Sequence, residues 1–350
     1  MNEPASHTTP VARVVLVAML GQSNGEGRAA PYGGRIDPPD SRIQMWDWES
    51  RRLTVATVPV SSQQTLGGFS PISRIARRHL DAAGPETRVV ILNAAAGGSG
   101  LIAEPRAGTW RVGYPGPNST LYDIAVGALD SVIAAIRAEY GVEPETWLYW
   151  HQGEADGNTG EADYAKGLDE LCTTIRTHLG DATIPFTAGG LVPEHNPPAA
   201  VRRALIALPA RLPHVAYTDG IPNGGDDLGE GRVHYFREAS ERLGDAMFEA
   251  SYRAAIAAED SVPHKPLDVS ATFGDGTLTV EWSAPMCRWT GFVVEYSIDG
   301  GPWTVAPRPI PCDLRETVDD LGGTSARVRI ATVNARAVTE FTAPVAALRI

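Results

Sequence analysis

The sequence predicts an α/β domain over residues 1–258, a parallel sheet between two helical layers, then a linker at 259–265 and a small all-β sandwich over 266–350. Two observations carry this division. As far as Ala257, apolar runs of strand length alternate regularly with longer stretches of helical period, the pattern of βαβ units with right-handed crossovers. Beyond the polar, proline-bearing segment Glu259-Asp260-Ser261-Val262-Pro263-His264-Lys265-Pro266 the apolar period becomes two, that of half-buried strands.

In the first domain strands are expected at about Val11–Ala18, Arg88–Asn93, Thr146–Trp150, Ile184–Leu191 and Val215–Thr218. Strands of a parallel sheet are covered on both faces and so read as continuous apolar runs. Helices are expected at about Pro71–Ala83, Leu121–Tyr140, Tyr164–Leu179, Pro198–Leu208 and Phe236–Ala257. In the second of these, Ile124, Leu129, Ile133 and Ile136 supply an apolar face for packing on the sheet. Five parallel strands in flavodoxin-like order follow. The run Val14–Leu20 is far short of the roughly 20 residues a spanning helix needs. No basic n-region precedes it, so it reads as a core strand and no conventional export signal is visible.

In the second domain Leu278, Val280 and Trp282 point one way along a strand while Thr277, Thr279 and Glu281 point the other. Turn signals at Gly274-Asp275-Gly276, Asp299-Gly300-Gly301 and Gly322-Gly323 separate further strands at sandwich-like spacing. The segment resembles a fibronectin type III domain. Trp282 matches the core tryptophan of that family, and Ala326 stands where it usually has a corner tyrosine. No catalysis is expected from this part.

Four blocks of the first domain carry chemistry. Gly21-Gln22-Ser23-Asn24-Gly25 follows the first apolar run directly. It fits the Gly-x-Ser-x-Gly elbow, but the fold that owns the elbow needs several strands before its serine, and here one fits. A serine at the carboxyl end of the first strand stands where parallel sheets place their sites. Asn93-Ala94-Ala95-Ala96-Gly97-Gly98-Ser99-Gly100 follows a second apolar run; its small residues allow close backbone approach, and a free main-chain N–H there can stabilise an oxyanion. Trp147–Trp150 passes abruptly into His151-Gln152-Gly153-Glu154-Ala155-Asp156, and an amide such as Gln152 can donate to developing charge without titrating. Finally, Asp226-Asp227-Leu228-Gly229-Glu230-Gly231-Arg232-Val233-His234 precedes the last helix. An imidazole there, with an unperturbed pKa of about 6.5, can take the serine proton.

Together these blocks resemble the SGNH hydrolases, most closely the sialate O-acetylesterase-like branch that includes carbohydrate esterase family six, over about residues 11–257. The resemblance implies Ser23 as nucleophile, His234 as base, and an oxyanion hole of the Ser23 and Gly98 N–H groups with the Gln152 side chain. It implies removal of acetyl groups from an acylated carbohydrate, with no cofactor. One position departs from the pattern: the aspartate three residues before the histidine is Gly231. Glu230 is the preferred acid, Asp227 an alternative, and a Ser–His dyad oriented by a main-chain carbonyl a third.

A composition of 43% hydrophobic and 21% charged residues indicates neither disorder nor a membrane protein, and a net charge of −12 argues against general nucleic-acid affinity. Cys172 falls in a helix; Cys287 and Cys312 could pair, which would imply an oxidising compartment. A lipase or thioesterase on the same fold would need an apolar channel, for which loops bearing Trp46-Asp47-Trp48 and Trp110 are candidates. Two further readings are a glycan-binding module and a metal site on His151, Glu154 and Asp156. The missing aspartate at position 231 supports the first while the Ser, Gly, Gln and His that are present weigh against it, and an idle Ser23 weighs against the second.

Overall fold

A computed structural model describes residues 11–29, 38–64, 68–105, 107–117, 120–226, 233–256, 264–283, 285, 291–307, 314–333 and 338–350. The chain divides into two compact units, one of Met1–Ala135, Glu145–Cys172 and Pro185–Ala257, the other of Ile136–Pro144, Thr173–Ile184 and Ala258–Ile350. Up to Ile256 the elements are β1 (Arg13–Gly21), α1 (Ser23–Glu26), β2 (Ile43–Asp47), β3 (Arg52–Val55), α2 (Pro71–Asp81), β4 (Thr87–Asn93), α3 (Leu121–Tyr140), β5 (Glu145–His151), α4 (Glu161–His178), β6 (Phe186–Gly189), α5 (Ala199–Ile206), α6 (Leu208–Arg211), β7 (Val215–Thr218) and α7 (Arg237–Ile256).

The strands form one sheet of order β3-β2-β4-β1-β5-β6-β7. Neighbours pair in parallel except β2 and β3, an antiparallel hairpin. The five expected strands lie in the order β4-β1-β5-β6-β7, and the hairpin beyond β4 makes the sheet one of seven. Expecting five strands is therefore corrected. The hairpin lacks a long apolar run: β3 is Arg-Leu-Thr-Val, partly exposed at the sheet edge, and β2 takes in Trp46 and Asp47, expected in a loop.

Central β1 is buried on both faces. Val15, Val17 and Met19 pack in one cluster with Ile72 and Ile75 of α2 and Leu243 and Met247 of α7. Val14, Leu16 and Ala18, which point the other way, are at most 1% exposed. Each such aliphatic side chain contributes about 1.5–3 kcal/mol on burial, so β1 is a fixed reference for whatever its carboxyl end carries. The inner face of α3 runs through Leu121, Ala125, Leu129, Val132 and Ile136, spaced by three or four, whereas Ile124 is 38% exposed. The face expected for this helix is turned accordingly.

After residue 264 come β8 (Leu267–Gly274), β9 (Thr277–Ser283), β10 (Gly291–Ile298), β11 (Thr304–Val305), β12 (Arg315–Val318), β13 (Ala326–Val333), β14 (Val345–Ala346) and β15 (Leu348–Arg349). They form two four-stranded sheets, β11-β10-β13-β14 and β12-β9-β8-β15. One core joins them: Leu278, Val280 and Trp282 from the second sheet pack with Phe292, Val294 and Ile330 from the first. The Trp282 and Phe292 rings meet edge to face, centroids 5.3 Å apart. Cys287 and Cys312 lie outside the described residues, and Cys172 is buried in α4. Among the described residues no helix is long and apolar enough to cross a membrane.

Candidate active site

The site begins where β1 stops. Gly21 has φ +117°, a conformation that a side chain strains, and a Cβ there would lie 2.1 Å from the His151 carbonyl oxygen of neighbouring β5. Only glycine brings the strands this close. The Gly21 carbonyl accepts from Ala96 N at 2.9 Å, Ser99 Oγ at 3.2 Å and Trp110 Nε1 at 3.1 Å. Gln22 N donates to His151 O at 2.8 Å, and Ser23 then opens α1. Its place at the carboxyl edge, on the central strand between β4 and β5, is where parallel sheets hold ligands.

His234 arrives from the stretch before α7. Its carbonyl accepts from Asp226 N at 2.8 Å, Phe236 N donates to Gly224 O at 3.0 Å, and Gly225 and Tyr235 form an antiparallel bridge. The buried Tyr235 hydroxyl donates to Gly190 O at 3.0 Å and accepts from Ile221 N at 3.2 Å. Burial raises its pKa and keeps it a neutral donor. So held, His234 places Nε2 3.0 Å from Ser23 Oγ. Ser23 is 5% and His234 9% exposed.

Gly98 sits at φ +73° in the loop after β4. Among the described residues nothing accepts from the Ser23 or Gly98 main-chain N–H, so both are available to an oxyanion. The loop is fixed from beneath by Glu26, 1% exposed, which sequence reasoning passed over. Its Oε2 accepts from Gly97 N at 2.6 Å, its Oε1 from Ser62 Oγ at 3.1 Å, and its carbonyl from Asn93 Nδ2 at 2.8 Å. Its only sequence signal is an acid three residues beyond the serine, with no apolar period to explain it.

Burial raises the Glu26 pKa, with the Gly97 and Ser62 hydrogen bonds acting the other way. A carboxyl group whose pKa is higher folded than unfolded binds its proton more readily in the folded state. Its contribution is therefore fully present below the unfolded pKa and declines as pH rises towards the folded one. Glu26→Gln, which can accept from Gly97 and donate to Ser62 Oγ, is expected to remove that decline. Melting temperatures from pH 4 upward check this: parallel wild-type and variant curves would contradict it.

Gln152 and Asp156 are both wholly buried. Gln152 Nε2 lies 2.6 Å from Asp156 Oδ2, 3.1 Å from Gln22 Oε1 and 3.2 Å from Ser99 O, so both its hydrogens have acceptors within the protein. Donation to an oxyanion would take one away. Asp156 also accepts from Leu101 N, Ile102 N and Ala103 N at 2.7–2.9 Å, which ties β5's exit to the loop after Gly98. Glu230 and Asp227 lie outside the described residues. The structure thus brings Ser23 and His234 into contact, leaves the Ser23 and Gly98 N–H groups available, and turns Gln152 inward.

Of the tryptophans considered for an acyl channel, Trp46 is 3% and Trp110 0% exposed. Trp48 donates from Nε1 to Asn93 O at 2.9 Å. A cavity of about 670 Å³, lined by Ile43, Val60, Phe69, Arg74, Arg77 and Glu241 among others, includes none of the candidate catalytic residues in its lining. Among the described residues no group of three or more His, Cys, Asp or Glu side chains is placed to hold a metal ion.

Fold and site together define a class: an esterase-like α/β domain whose hydroxyl and imidazole meet at the carboxyl edge of the sheet. The family described as carbohydrate esterase, sialic acid-specific acetylesterase, matches residues 13–253. This chain belongs to that family, and is a carbohydrate esterase. Among solved structures, a protein of Arabidopsis thaliana is 21% identical with a TM-score of 0.53, covering 68% of this chain and 98% of that one. NanS is 16% identical with a TM-score of 0.54, covering 70% of this chain and 98% of NanS. Both likenesses are of fold. An Fn3-like protein from Clostridium thermocellum aligns with 25% of this chain over 95% of its own, 22% identical, with a TM-score of 0.22. None of the curated proteins matches this chain.

Proposed function

We propose that the chain is a serine esterase of SGNH type, built on a three-layer sandwich, that removes acetyl groups from an acylated carbohydrate through an acyl-enzyme. The observation that carries this is the 3.0 Å contact between His234 Nε2 and Ser23 Oγ, within reach for proton transfer. His234 takes the Ser23 proton as Oγ attacks the ester carbonyl. The tetrahedral oxyanion is held by the Ser23 and Gly98 N–H groups. Its collapse expels the sugar oxygen, which takes the proton from His234 Nε2. Water then gives a proton to His234 and attacks the acyl-enzyme, and acetate leaves as Ser23 recovers its proton. Glu230 is assigned as the acid that orients the imidazole. The fibronectin type III-like unit takes no part in the chemistry.

A short acyl group is favoured because Trp46 and Trp110 are buried and so offer no exposed wall to a long chain. The sugar is taken from the family's description as sialic acid-specific acetylesterases. The test is a panel of esters graded from acetyl upward, with an O-acetylated sialic acid among them. Acetyl esters are expected to turn over fastest; faster turnover of long chains would move the assignment to a lipase.

A further inference from the structure

Asn24, next to the proposed nucleophile and 3% exposed, spends its whole side chain on two other blocks. Its Oδ1 accepts from Tyr235 N at 3.0 Å, and its Nδ2 donates to Val233 O at 3.0 Å and to Glu154 Oε1 at 2.8 Å. The amide orientation is fixed by its partners, because oxygen meets a donor and nitrogen meets two acceptors. The two main-chain contacts fall on either side of His234, so Asn24 grips the residue before the imidazole and the residue after it. The Glu154 side chain is 4% exposed. Its Oε2 has no hydrogen-bond partner among the described residues, and neither has Nδ1 of His151, which lies 3.9 Å from Glu154 Oε1. A carboxyl group buried with one oxygen unsatisfied is costly, and packing alone would favour an apolar side chain there. Its described hydrogen bond is the one to Asn24.

We infer that Glu154, acting through the Asn24 amide, is a positioning residue that holds the His234 imidazole against the Ser23 hydroxyl. With Glu154 in place, Nδ2 is fixed between two acceptors and the amide plane cannot turn, so Oδ1 stays on Tyr235 N. Without it the amide keeps only its two main-chain partners, Tyr235 N and Val233 O, and its grip on the main chain on both sides of His234 loosens. The inference rests on the serine-esterase reading, because it concerns the distance between that reading's two reacting side chains.

The test compares kcat and KM on an aryl acetate for wild type, Asn24→Ala, Glu154→Ala, Glu154→Gln, Asn24→Asp and the double alanine variant. Both single alanine variants are expected to lose about 10- to 100-fold in kcat, the scale of a displaced catalytic group, with KM little changed. Glu154→Gln should recover most of the loss, because an amide oxygen still accepts from Asn24. The double variant should be no worse than Asn24→Ala, since both act along one path. Asn24→Asp, whose carboxyl group faces Glu154, should be impaired, but its kcat relative to wild type should rise as pH falls and a shared proton restores the donor. Full kcat in Glu154→Ala would overturn the inference, as would additive losses in the double variant or equal damage from glutamine and alanine at 154. Should an alanine variant fail to fold, the Glu154→Gln and Asn24→Asp profiles decide alone. A Ser23→Ala arm separates the two levels: wild-type turnover there removes the serine reading itself, whatever the others do.

Discussion

Ser23→Ala is expected to lower the turnover of acetyl esters by on the order of 10⁴-fold or more while leaving the protein folded. Without Oγ no acyl-enzyme forms, and what survives comes from the oxyanion donors and binding alone. The fold should tolerate the change because the serine side chain is small and its described hydrogen bond is the one to His234, whose loss costs about 0.5–1.5 kcal/mol. Steady-state rates with a thermal melt on the same samples check both halves. Turnover within tenfold of wild type, with the fold intact, would end the serine mechanism.

Gly21→Ala should have the largest effect on stability of any single change near the site. The residue would have to hold φ +117° with a side chain, at a cost of about 1–3 kcal/mol. The added carbon would also lie 2.1 Å from the His151 carbonyl oxygen, so β1 and β5 must part where Gln22 N donates to that same oxygen. Together these should lower the unfolding free energy by about 3 kcal/mol or more, read from a urea titration. Activity should fall in the fraction that remains folded, because Ser23 follows two residues later. A midpoint unchanged within error would mean that the turn can relax without disturbing the sheet.

Apolar runs made the interior strands legible, because a strand covered on both faces writes its burial into every residue. β2 and β3 escaped for the converse reason. An edge hairpin buries part of one face, and four residues such as Arg52–Val55 hold no period to detect. Ser23 and His234 were legible as residue types in suggestive places, but their meeting depends on a sheet order that places β1 beside β5 and brings the segment before α7 over it. Gln152 illustrates the limit: the sequence gives an amide at a strand end but not its direction, and Asp156, four residues on, draws it inward. Asn24 and Glu26 were in plain sight beside the serine. What they do depends on partners up to 211 and 71 residues away, which no local pattern encodes.

On the serine-esterase reading, the separation of 211 positions between Ser23 and His234 also sets when a newly made chain first becomes competent. Synthesis proceeds from the amino end, so the hydroxyl leaves the ribosome early and waits through the rest of the sheet with no base to activate it. It acquires its partner only once the final crossover of the α/β domain has docked. Hydrolysis of a soluble acetyl ester by a translating population would therefore report completion of that domain rather than the amount of chain made, and a chain stalled before residue 234 would carry an intact nucleophile and remain silent.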